Sequence, residues 1–200
     1  MTLADFQTAS IRLYTDALFL ERAAADPLNE LARYGLSEAE RCALIELVRA
    51  RKAHLRTFCD GLHRKSFTVQ WSKFHLVRDY FGAFKDDFYA AFRRSHGFAR
   101  TTAQRAADEF AELLIATARN GEPHVPACFS DVVRYDHACT RIAANPGIGS
   151  LVDEFEFEVS RLRSGVTPDA LPRGAFAYIF AFSPDTLTVS VYRQTRGRAR

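Results

Sequence analysis

No stretch of the chain stays apolar and uncharged for the length that spans a bilayer. The first residues, Met1-Thr-Leu-Ala-Asp-Phe-Gln-Thr8, have neither the basic nor the apolar segment of a secretory signal. A soluble, cytoplasmic protein with no membrane partner is therefore expected. Charge bias is slight as well: 27 Lys and Arg against 24 Asp and Glu leave a net charge of +3, less than a general nucleic-acid binder carries. No nucleic-acid partner is expected on that ground.

The motifs of common chemistries are also missing. The four cysteines, at 42, 59, 128 and 139, form no CxxC pair, so reduced and mostly buried thiols are expected. Cys59 and His63 are four residues apart on one helix, but Cys139 and His137, two apart, point to different sides of theirs. Zinc would need a second pair at short spacing. The six histidines form no HExxH motif. Asn145-Pro-Gly-Ile-Gly149 leads into a strand and not a helix, which removes the phosphate-loop reading. No GxSxG elbow is present. The expectation is no catalytic residue, no metal and no cofactor in this chain.

What is present is 48% hydrophobic residues over 200 positions, ample for a core. Residues 2–25 read as two short helices broken near Tyr14-Thr15-Asp16. Asp26 is placed to cap a third, with Pro27 at its first position, and Gly35 to end it in the left-handed conformation. Ser37-Glu-Ala-Glu40 is a capping box, opening a helix that carries Leu44, Leu47, Val48, Leu55, Phe58 and Leu62 to about Lys65. Ten of the aromatics fall in residues 67–98. Phe74, Val77, Phe81, Phe84 and Phe88 keep the helical period, with Gly82 a weak point, and such a stripe is core before it is anything else. Thr101-Thr-Ala-Gln104 is a second capping box. It starts a helix burying Ala103, Ala107, Phe110, Leu113 and Leu114 and ending at Asn120-Gly121.

Glu122-Pro-His-Val-Pro126 is a rigid connector. It suits a boundary between a helical domain, residues 1–121, and a second domain, residues 127–200, with one helix and a small antiparallel sheet. Ser130 is placed to cap that helix, with Val132, Tyr135, Cys139 and Ile142 on its apolar face and Arg134, His137 and Arg141 opposite. Leu151–Ser160 alternates as a strand with Glu154, Glu156 and Glu158 on a solvated face. Gly174–Phe182 and Leu187–Arg193 flank Ser183-Pro-Asp-Thr186 as a hairpin. The fold class is α+β, many helices and then about three strands. A strand at a sheet edge accepts a guest peptide through its unpaired backbone groups. Leu187–Arg193 is the favoured receiving edge, with Leu151–Ser160 the other candidate.

Two blocks carry a resemblance. Asp26-Pro-Leu-Asn-Glu-Leu-Ala-Arg-Tyr-Gly-Leu-Ser-Glu-Ala-Glu40, with the helix running on to Leu62-His-Arg-Lys-Ser-Phe67, and Phe129-Ser-Asp-Val-Val-Arg-Tyr-Asp-His-Ala138 are similar to segments of the partner subunits of multinuclear non-heme iron-dependent oxidases. The closing Tyr192-Arg193 and Arg196-Gly-Arg198 resemble theirs too. These partners act in the modification of ribosomally made peptides, those of methanobactin and 3-thiaglutamate biosynthesis among them. The resemblance implies a fold like a RiPP recognition element and a non-catalytic accessory subunit in a heterodimer with the oxidase. The oxidase would hold the iron. The precursor's leader would pair with a sheet strand while its core, often a cysteine, is oxidised by the partner. On that footing Leu187, Val189, Val191, Tyr192, Arg193 and Arg196 would contact the leader. Asp131, Arg134, Tyr135 and Asp136 would serve the partner interface or the fold.

Two rival readings are weighed. A helix-turn-helix DNA-binding regulator would use the helices around Gly35 with Arg49, Arg51, Lys52 and Arg56. A hydrolase would use Cys59 with His63 or Cys128 with His124, though neither pair has a third orienting group.

Overall fold

The structure, a computed structural model, describes residues 3–95, 103–121 and 123–194. Among these, eight α-helices precede or flank one three-stranded antiparallel sheet, an α+β architecture with the sheet after a helical N-terminal part. The chain divides into two compact units, residues 1–68 with 89–100 and residues 69–88 with 101–200. The helix after residue 102 therefore groups with the sheet, a different partition from one at the 122–126 connector.

In the first unit, α1 (Leu3–Thr15) and α2 (Ala17–Ala25) break at Asp16. The Asp16 side chain accepts from the Phe19 N–H at 2.9 Å, capping α2 where the first-turn amides lack partners. Arg12 secures the corner: it donates to Asp16 at 2.7 Å and to the Tyr34 hydroxyl at 2.9 Å, and lies over the Phe19 ring. Asp26 caps the single turn of α3 (Pro27–Leu31) through the Asn29 N–H, with proline at its first position as expected. Ser37 and Glu40 exchange the two bonds of a capping box, 3.3 Å from the Glu40 N–H to Ser37 Oγ and 2.8 Å from the Ser37 N–H to Glu40 Oε2. Gly35 departs from expectation. It does not adopt a positive φ, and its constraint is space: a Cβ there would stand 3.0 Å from Asp5 Oδ2. Leu13, Phe19, Leu20, Leu31, Leu44, Val48 and Leu55 form the core of this unit.

The helix opened by the capping box, α4 (Glu38–Lys73), runs 36 residues and ends eight beyond the expected Lys65. Cys59, His63, Phe67, Gln70, Trp71 and Phe74 are all buried, so one stripe at helical spacing continues through the segment. Nothing between Lys65 and Lys73 breaks a helix. The chain then kinks at Phe74 into α5 (His75–Phe81). A 3₁₀ turn at Gly82–Phe84, the weak point expected at glycine, leads into α6 (Lys85–Ser95).

The second unit is built on aromatic contacts. Phe129 stacks on Phe88 at 5.1 Å and meets Phe81 edge-on at 4.9 Å, while Phe74 packs on Phe110 at 5.4 Å. The aromatic stripe is thus core. Helix α7 (Ala103–Arg119) buries Ala107, Phe110 and Leu114 and stops at Gly121, whose φ is +81°. The capping box at 101–104 lies outside the fully described residues. Helix α8 (Phe129–Ala144) begins one residue ahead of Ser130, so that serine is not its cap. Cys128 holds the N-cap position without a side-chain bond, and the Phe129 N–H donates to the Pro126 carbonyl at 2.9 Å.

The sheet order is β1–β2–β3, with β1 Ser150–Phe157, β2 Arg173–Ser183 and β3 Thr188–Gln194, all antiparallel. Pairing aligns Asp153 with Tyr178 and Arg193, and Val152 with Ile179 and Tyr192. One face therefore carries Phe155, Tyr178, Phe180, Val191 and Arg193, and α8 covers it with Tyr135, whose ring is 5.1–6.1 Å from Phe155, Tyr178 and Phe180. The other face carries Val152, Ile179 and Tyr192.

Candidate functional site

The two outer strands of the sheet are not equivalent, and α8 makes the difference. Asp131 lies in the first turn of α8 and is buried. Its Oδ2 accepts from the backbone N–H groups of Glu156 at 2.7 Å and Phe157 at 3.0 Å. These amides sit where the β1–β2 register shifts between Phe155 and Phe157. One turn further on, Arg134 donates to the Glu154 carbonyl at 2.8 Å, holds Asp131 and Asp153, and spreads over the Phe155 ring at 4.9 Å. Three backbone groups of β1, the Glu154 carbonyl and the Glu156 and Phe157 amides, are thereby taken up by side chains of the same chain. An edge whose groups are already satisfied no longer templates another strand. Of the two candidate receiving edges, β1 is closed along this stretch.

On β3, no strand or side chain pairs with the side turned away from β2 among the described residues. Val189 and Val191 are half-buried on the α8 side, and Tyr192 is 59% exposed on the opposite face. Arg193 is anchored: it forms an ion pair with the buried Glu158 carboxylate and lies 5.0 Å over the Phe176 ring. An open cleft of about 450 Å³ adjoins this end of β3, lined by Glu154, Glu156, Ala175, Ala177, Arg193 and Gln194. Leu187 is not part of the strand. It sits in the turn at φ +53° and is 78% exposed. Arg196 lies outside the described residues.

Glu158 corrects the expectation of a fully solvated glutamate row. Glu154 and Glu156 are exposed, but the strand ends at Phe157 and a 3₁₀ turn from Val159 to Ser164 follows. That turn breaks the alternation and sends Glu158 inward, to Arg161 at 2.8 Å and to Arg193. Nothing in the local pattern announced this.

The remaining residues of the α8 motif also work within the fold. Tyr135 fills the covered face of the sheet. Asp136, 3% exposed, accepts from the Val77 N–H at 2.9 Å and so caps α5, whose own N-cap, Phe74, offers no side-chain bond. Burial pushes the Asp136 carboxyl up to about 7, against the lowering effect of its amide donors and Arg163.

The cysteine–histidine pairs lack an activated nucleophile. Burial pushes both Cys59 and Cys128 up to about 11. His63 is buried with Nε2 donating to the Thr15 carbonyl at 3.1 Å, and His124 is exposed while Cys128 is buried. The helix-turn-helix pattern is not formed around Gly35: α3 is a single turn, and Lys52 and Arg56 both engage Glu21. Among the described residues no group of three His, Cys, Asp or Glu side chains is placed to hold a metal ion, and no helix is long and apolar enough to cross a membrane. No family model matches the chain, and neither a curated protein nor a solved structure shows significant similarity to it.

Proposed function

We propose that this chain is a non-catalytic accessory subunit that receives the leader of a ribosomal precursor peptide as an added strand on β3. The observation that carries the reading is the asymmetry of the sheet: Asp131 and Arg134 close β1 over residues 154–157, and β3 keeps an unpaired edge beside an open cleft. Strand addition draws its affinity from backbone hydrogen bonds, each worth about 0.5–1.5 kcal/mol net, and its selectivity from alternate side-chain positions. Val189 and Val191 would present an apolar line on one side, and Ser190 and Tyr192 a polar and aromatic one on the other. The resemblance noted in the sequence supplies the guest and the partner: a precursor leader, and an iron-dependent oxidase to which the core is presented. Iron and oxidative chemistry belong to that partner in this reading.

The test is a proline scan of residues 189–192, with calorimetry of the leader encoded beside this chain and its oxidase. Successive amides of an edge strand point alternately toward β2 and away from it. Variants that still fold should lose leader binding at the positions whose N–H points outward. Leader binding that survives proline at every folded position overturns the reading.

A further inference from the structure

A second cleft, of about 270 Å³, lies wholly within the first unit, between α2, α4 and α6. Its apolar lining includes Ala17, Leu18 and Ala90, and its charged lining is Arg56, Arg93 and Arg94 with the carboxylates of Glu21 and Asp60. Two of these arginines are held in place. Arg56 donates through Nε at 2.9 Å and Nη2 at 2.6 Å to Glu21, and Arg93 pairs with Asp60 at 2.8 Å. Both stay about half exposed, with side chains 50% and 43% accessible. A guanidinium has five N–H donors, so Arg56 and Arg93 keep donors beyond those spent on Glu21 and Asp60. Lys52, outside the lining, stands 3.8 Å from Glu21. Three arginines against the two carboxylates leave the lining with one excess positive charge, beside apolar surface.

We infer that this cleft binds an acidic peptide segment, a Glu or Asp carboxylate taken by the arginines beside an aliphatic side chain laid on Leu18 and Ala90. The two halves of the cleft select this ligand together. Arginine forks match a carboxylate bidentately, which favours an anion over a neutral amide. The apolar lining is wasted on a bare anion and is covered by a neighbouring aliphatic group. The volume is just under the roughly 300–1,000 Å³ of sites for drug-sized ligands and suits a pair of side chains instead of a nucleotide. The site is separate from the β3 edge and does not depend on strand addition.

The probe is acetyl-leucyl-glutamyl amide, too short to add a strand, titrated into the full-length ¹⁵N-labelled chain while amide shifts are followed. Saturable shifts at Ala17, Leu18, Ala90 and Arg93 are expected. The glutaminyl counterpart and the Arg94→Ala variant should each bind about tenfold more weakly, the scale of one charge-assisted contact. Glutarate and inorganic phosphate should both bind more weakly than the dipeptide. Arg94→Lys, which keeps the charge without the fork, should fall between wild type and Arg94→Ala. Equal binding of the glutaminyl probe, equal binding of phosphate, absence of saturable shifts, or an unaffected Arg94→Ala variant that melts like wild type each overturn the assignment. None of these outcomes bears on leader binding at β3, so the two proposals fail separately.

Discussion

Arg193 on β3 and Glu158 at the exit of β1 are ion-paired across the sheet, with Arg161 as the second partner of the same buried carboxylate. Arg193 is thus an anchor that fixes the end of the edge strand. Arg193→Gln should cost about 1–2 kcal/mol, the scale of a charged partner removed from a buried acceptor that keeps one other. Urea unfolding of the variant checks it. Unchanged stability would mean that Arg161 alone satisfies Glu158.

Asp131 satisfies two backbone amides of β1, and its loss exposes both the amides and the edge they belong to. Asp131→Ala should lower stability by about 2–3 kcal/mol and raise the tendency to self-associate, measured by denaturation and by light scattering. Asp131→Asn, which keeps an acceptor oxygen, should lose less on both counts. If leader binding takes place on β3, Asp131→Asn leaves it intact.

Asp136 gives a pH signature. Its folded carboxyl titrates near 7, above the ordinary range near 4, so between those values the folded chain holds a proton that the unfolded chain has released. Stability therefore falls as pH rises through this window, by up to roughly 1.4 kcal/mol per pH unit, and levels off above 7. Asp136→Asn still accepts from the Val77 amide through its carbonyl oxygen and should flatten the slope. A wild-type chain that is equally stable at pH 5 and pH 8 would contradict the assignment.

The thiols differ sharply in access. Cys42 is exposed, Cys59 and Cys128 are buried and pushed up to about 11, and Cys139 is pushed up to about 12, in each case chiefly by burial. At pH 8 a thiol reagent should modify Cys42 promptly and the other three only after denaturation. Mass spectrometry of the labelled chain counts them.

Local signals read well wherever a residue's own backbone chemistry decides the outcome. Asp16, Asp26 with Pro27, and Ser37 with Glu40 mark helix starts because each satisfies an amide within four residues. The hairpin was legible for the same reason: β-branched and aromatic runs around a turn. Long-range partners were not. Glu158 turns inward because Arg161 and Arg193 meet it, and the strand ends at Phe157, three residues short of the alternation over Leu151–Ser160. Ser130 has cap chemistry two residues past the N-cap position, Cys128, since the Pro126 carbonyl already starts the helix at Phe129. Gly35 answers to the Asp5 side chain, thirty positions away in sequence, and not to its own φ. The Asp131–Arg134 block stood out in the sequence, but its work on the β1 edge became visible only with the strand beside it.

The closing of β1 has a consequence for assembly. A sheet with two open edges is a repeating unit: each addition exposes a fresh edge on either side, and growth has no natural stop. With Asp131 and Arg134 blocking β1 over residues 154–157, growth on that side is obstructed. Two copies paired β3 to β3 would turn only these blocked β1 edges outward, and strand pairing would stop there at two.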